Sequence, residues 1–132
     1  MKTSPTKDLV KIFEFLTEEK CKKISVFDVS ENDMSKFLIV ANNPTANENR
    51  RVADVFSEEF GFFGKIDGYH KGEWIIFDME EIVVHLFLPS QREKYNLDRL
   101  YRAREIDLIK ILQKKKNSFT HIHLSSNDIP LF

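Results

Sequence analysis

GYHKGEWIIFDMEEIVVHLFLPSQREKYNLDRLY, residues Gly68 to Tyr101, carries the clearest structural signals in the chain. Gly68 and Gly72 punctuate it as turn residues, and Glu73 to Asp78 and Ile82 to Leu88 are short apolar runs rich in β-branched and aromatic residues. Two such runs joined by a short link read as a β-hairpin. Pro89 stops the second run, Ser90 to Tyr95 has room for one helical turn, and Asn96 is placed to cap a short helix through Leu97, Leu100 and Tyr101.

Upstream, Lys65 to Tyr69 adds a third extended run, and Gly61 is a helix stop because glycine accepts the left-handed conformation. The helix it ends has the apolar stripe Val52, Val55, Phe56 and Phe60 and spans about 16 residues. Its start is open between two N-caps: Thr45, with capping-box spacing to Glu48, and Asn43 before Pro44. Ile24 to Val29 and Phe37 to Ala41 read as two buried strands, separated by the turn-like Ser30 to Asp33. Leu9, Ile12, Phe13 and Leu16 define an opening amphipathic helix. Ile106, Ile109 and Leu112 extend helical spacing to Lys114-Lys115-Lys116, favourably placed at a helix C-terminus. The expected order is α-β-β-α-β-β-β-α-α: an α/β (mixed α+β) domain over 1–116 with a five-stranded, mostly mixed sheet and packed helices. The apolar-rich tail 117–132 either adds an edge strand or folds back on the core.

The 132 residues, with twelve Phe, three Tyr and one Trp, suit one core and argue against a disordered chain. Twenty cations against twenty-one acids give a net charge of −1, which disfavours general nucleic-acid binding. A lone cysteine, Cys21, excludes a disulfide framework and points to a reducing compartment, so cytoplasm is the expected location. No segment has the ~20 apolar residues a membrane span needs, and charged Lys11 and Glu14 interrupt Leu9 to Leu16 where a signal peptide would be apolar.

Candidate chemistry is sparse. His121 and His123 would project to one side of a strand, but no third metal ligand accompanies them, and a surface reading is preferred. Asp28, Asp67, Asp78 and His85 lie in or beside strands, yet there is no phosphate loop and no paired-carboxylate motif to hold magnesium. Cys21 reads as an inert, half-buried thiol. His85, alone among apolar residues in its strand, must find a hydrogen bond. Trp74, beside a turn, is either a core aromatic or an interface anchor, and the anchor is the preferred reading.

Taken in order, ISVFDVS (24–30), FLIVANN (37–43), GYHKGEWIIFDMEEIVVHLFLP (68–89) and REKYNLDRLY (92–101) resemble the ribosomal silencing factor, or Iojap-like, family from helix one to Tyr101. The resemblance implies a nucleotidyltransferase-like fold without the catalytic motif. It also implies a factor, not an enzyme and needing no cofactor or metal, that docks on the large ribosomal subunit at a bridge-forming protein and blocks subunit joining. Partner-binding residues implied by the match are Trp74, Asp78, His85, Leu88, Arg92, Tyr95 and Asp98. A patch of Glu73, Asp78, Glu80 and Glu81 near Trp74 is expected to face a basic ribosomal protein. No sequence-specific nucleic acid and no membrane partner is expected; whether the free protein is a homodimer stays open. Asn42-Asn43-Pro44 departs from the Ser or Gly common after the second strand, and the tail after Ala103 lies outside the matched pattern. The rival reading is a nucleotidyltransferase-like enzyme or nucleotide-binding protein.

Overall fold

The structure, a computed structural model, describes residues 5–32, 34, 36–61 and 65–112. The readings made for Lys114 to Lys116, the tail 117–132, and His121 and His123 fall outside the described residues.

The elements run α1 (Pro5–Glu18), β1 (Lys22–Asp28), β2 (Phe37–Asn42), α2 (Ala46–Phe60), β3 (Lys65–Asp67), β4 (Trp74–Asp78), β5 (Ile82–Phe87), α3 (Pro89–Tyr95), α4 (Leu97–Leu100), a 3-10 turn (Arg102–Arg104) and β6 (Glu105–Ile106). The strands form one mixed sheet in the order β3-β4-β5-β2-β1-β6. Among the described residues only β2 and β5 pair in parallel, across the crossover that contains α2; the remaining pairs are antiparallel. Among the described residues the sheet therefore has six strands where five are expected. The sixth occupies residues read as helix: Ile106 has helical spacing to Ile109, but Glu105 and Ile106 instead pair with Phe27 and Val26, and Ile106 packs against the main core. Helical backbone begins only at 108, where the Asp107 carboxylate accepts from the Lys110 backbone N–H.

Strand alternation divides the sheet into two apolar faces. On one, Leu9, Ile12, Phe15 and Leu16 of α1 and Val52, Ala53 and Phe56 of α2 pack on Val26, Ile39, Ala41, Ile75, Phe77, Val84 and Leu86. Phe15 joins the predicted α1 stripe, while Phe13 lies at its margin. On the other face a smaller cluster of Phe27, Leu38, Val40 and Phe87 is covered partly by Trp74, Leu97 and Tyr101.

Caps mark several boundaries. Thr45, not Asn43, is the N-cap of α2, accepting from the Glu48 backbone N–H at 3.1 Å, while the Glu48 carboxylate turns to Arg51 instead of closing a capping box. Gly61 ends α2 with φ 58°, and Asn96 caps α4 through Arg99 N–H. Asn43 is buried and reaches Asn49, whose amide donates to Gly72 O at 2.8 Å; Asn43 N–H donates to Phe87 O. This polar thread binds the end of β2, α2 and the turn before β4. The expected strand Lys65 to Tyr69 stops at Asp67 because Gly68 turns at φ 80°, where a Cβ would lie 2.0 Å from the Trp74 carbonyl oxygen.

Candidate functional site

Trp74 and His85 come from neighbouring antiparallel strands and share the less covered face of the sheet. Trp74 pairs in register with Phe87, and His85 with Ile76, so the indole lies diagonally across from the imidazole. Trp74 Nε1 donates to His85 Nδ1 at 2.8 Å, and the indole stacks on Phe87 with ring centres 4.8 Å apart. Tyr95, from the last turn of α3, closes against the indole at 4.7 Å. Trp74 is half-buried, whereas Tyr95 is 48% exposed. The result is an aromatic shelf, built on strands and open along one side. His85 is the satisfied histidine that its apolar strand demands, and burial pushes its pKa down to about 4.

Arg92 lies on α3 and is almost covered, its side chain 11% exposed. Nε and Nη2 clamp the Asp98 carboxylate at 3.0 and 2.8 Å; Nη1 donates to Lys23 O and to Asn42 Oδ1; Nη2 also donates to Ser25 Oγ at 3.2 Å. A guanidinium has five N–H groups, and all five are used. The pair holds the Asp98 carboxyl below the ordinary carboxylate range, chiefly through the Arg92 hydrogen bonds. Arg92 and Asp98, read from sequence as partner contacts, are thus joined to each other and strap α3 and α4 to β1 and β2. Ser25 and Asn42 are the members of this clasp that sequence reasoning missed; polar residues on otherwise apolar strands are the signal that could have found them.

Leu88 is the N-cap residue of α3, partly buried, with its N–H bonded to Glu73 O. Asp78 stands at the far end of β4 from Trp74, about 13 Å away at ordinary strand rise. The acidic patch expected around Trp74 is therefore divided: Glu73 precedes Trp74 in the chain, while Asp78 ends β4 and Glu80 and Glu81 belong to the turn into β5. Asp28 accepts from Ser30 N–H, and Asp67 pairs with Ile76 on the outermost strand; among the described residues no group of three or more His, Cys, Asp or Glu is close enough to hold a metal ion. Cys21 is buried against the Asn43 amide, and burial pushes its thiol up, as befits an inert sulfur. A cleft of about 370 Å³ beside Arg92 opens at the carboxyl ends of the parallel strands, where α/β folds often bind ligands, but its guanidinium has no donor left. The larger cleft, about 510 Å³ between α1 and β6, is remote from the shelf.

A mixed sheet with two helices on one face and a half-covered aromatic shelf on the other makes this an α+β domain. The chain belongs to the ribosomal silencing factor family: residues 2–128 match the family described as "Ribosomal silencing factor during starvation". That match runs well beyond Ala103, so the shared pattern extends into the tail. Among curated relatives, a ribosomal silencing factor of Chromobacterium violaceum is 32% identical over 100 residues, 65% of this chain and 79% of that one. One of Zymomonas mobilis is 22% identical over 95 residues, 68% and 71% of the two chains. A mouse protein named for mitochondrial assembly of the ribosomal large subunit is 40% identical over 43 residues, 33% of this chain and 19% of its own. A crystal structure of a Chromobacterium violaceum protein superposes with TM-score 0.67 and 26% identity, covering 75% of this chain and 87% of that one. The family is one of ribosome-associated regulatory factors. No helix among the described residues is long and apolar enough to cross a membrane.

Proposed function

We propose that this protein binds the large ribosomal subunit, at a protein that bridges to the small subunit, and represses translation by occupying the joining surface. The observation that carries this reading is the aromatic shelf of Trp74 and Tyr95: two large rings, tilted against each other at 4.7 Å and only partly covered, on a strand and a helix. Interface hot spots have this composition and placement. Because the indole N–H is committed to His85, Trp74 offers a partner its ring face and edge, while Leu88 and Tyr95 extend the contact. Arg92 and Asp98 contribute by fixing α3, and Asp78 would meet the partner only at the far margin. Steric occupation needs no cofactor and no turnover.

Sedimentation with separated subunits tests the proposal. The protein should travel with isolated large subunits and little with small subunits or joined ribosomes. Equal association with both subunits overturns it.

A further inference from the structure

Charge is unevenly distributed along this nearly neutral chain. Residues 89–104 carry five cations and two acids, a net +3, so the remainder of a −1 chain carries −4. One of the two acids, Asp98, is consumed by Arg92. Arg99 and Arg102 are exposed, and neither has an ionic partner among the described residues; the same holds for Lys23. The three residues belong to neighbouring segments around the Arg92–Asp98 pair. Arg92 bonds the Lys23 carbonyl, Lys23 lines the cleft with Asn96 and Asp98, Arg99 follows Asp98 on α4, and Arg102 is near enough to act on the Asp98 carboxyl electrostatically.

We infer that Lys23, Arg99 and Arg102 form a contact for the phosphate backbone of RNA beside the protein on which the aromatic shelf docks. The inference deepens the proposed function and rests on it. Unpaired guanidinium groups suit phosphate because their planar fork can bond two oxygens at once, and they stay charged at any working pH. A particle whose surface is largely RNA presents phosphates around any protein site, and exposed cations gain by displacing the counterions condensed there. Sequence is not read: the contact is electrostatic and confined to this local group of cations, since the chain as a whole carries no excess positive charge.

Binding of the full chain to purified large subunits, and separately to a 20-base-pair RNA duplex, should be measured from 50 to 200 mM salt. The variant Lys23→Gln/Arg99→Gln/Arg102→Gln should lower the slope of log affinity against log salt by about 3, roughly one per phosphate contact, for both ligands. Arg99→Lys/Arg102→Lys, which keeps the charges, should leave the slope in place. The side chains are exposed, and an unchanged melting temperature establishes that the variant is folded. An unaltered slope for the neutralised variant overturns the inference. So does a slope that falls with large subunits while the native chain ignores the duplex, which would assign the cations to an acidic protein. Duplex binding that responds to the variant, without any large-subunit binding, would sink the proposed function and leave the phosphate contact standing.

Discussion

Trp74 Nε1 donates to His85 Nδ1 across 2.8 Å, and this bond dictates the state of the imidazole: Nδ1 is an acceptor, so the ring is neutral with its proton on Nε2. Burial holds its pKa near 4, below the ordinary 6.5, so the folded state resists a proton that the unfolded state takes up. The resulting stability is complete above pH 6.5 and is lost as pH falls toward 4, on the order of 3 kcal/mol in all. Urea unfolding followed by the fluorescence of the single tryptophan should show that loss between pH 7 and 4. His85→Gln should flatten the curve there; a native protein equally stable at both ends would refute the linkage. Asp98, depressed by Arg92, titrates only below this window.

Trp74 belongs partly to the core and partly to the surface, so its truncation should affect both. Trp74→Ala removes the stacking on Phe87 and the tilted contact with Tyr95 and leaves His85 without its donor, costing about 2–4 kcal/mol of stability. Trp74→Phe keeps a ring in the shelf and should cost about 1 kcal/mol, the worth of the lost hydrogen bond. Large-subunit affinity measured on the folded Phe variant then isolates the shelf's role in docking. Equal melting temperatures for the Ala variant and the native chain would place the indole outside the core.

Arg92→Ala should be among the most damaging substitutions outside the core, at about 2–4 kcal/mol, because it strands Asp98, Asn42 and the Lys23 carbonyl together. Arg92→Lys should recover little, since an ammonium cannot reproduce the fork. A double-mutant cycle with Asp98→Asn should return a coupling of about 1–2 kcal/mol. Additive losses would show that the two side chains act independently.

Two glycines with positive φ should behave differently. At Gly61 a Cβ meets nothing within 4 Å, so Gly61→Ala carries only the left-handed penalty of about 1 kcal/mol. At Gly68 a Cβ collides with the Trp74 carbonyl, so Gly68→Ala should cost clearly more and disturb the indole emission in the folded state. Comparing the two melting temperatures and spectra checks the difference.

The α1 and α2 stripes are legible in the sequence because helical periodicity over several turns has no other packing solution, and Gly61 and Asn96 are legible because their backbone demands are local. The hairpin β4–β5 is legible for the same reason. β6 is hidden: two residues carry no period, and only the vacant side of β1 makes them a strand. At the candidate site, the family pattern points to Trp74, Tyr95, Arg92 and Asp98 as one group, but which of them face inward depends on contacts fifty and more residues apart, such as Arg92 with Asn42. Residues near in sequence can also lie at opposite ends of a strand, as Trp74 and Asp78 do, and the expected acidic patch divides on that account.

The sheet's rims have a consequence for crowded conditions. Among the described residues its outermost strands, β3 and β6, are three and two residues long, and β1 carries an irregularity between Lys22 and Ser25 where Arg92 takes the Lys23 carbonyl. A foreign strand seeking to extend the ladder finds few free amides in a row and charged side chains beside them. Short, interrupted borders of this kind oppose edge-to-edge polymerisation. The same guanidinium that straps α3 and α4 in place therefore also helps keep neighbouring copies from adding to one another's sheets.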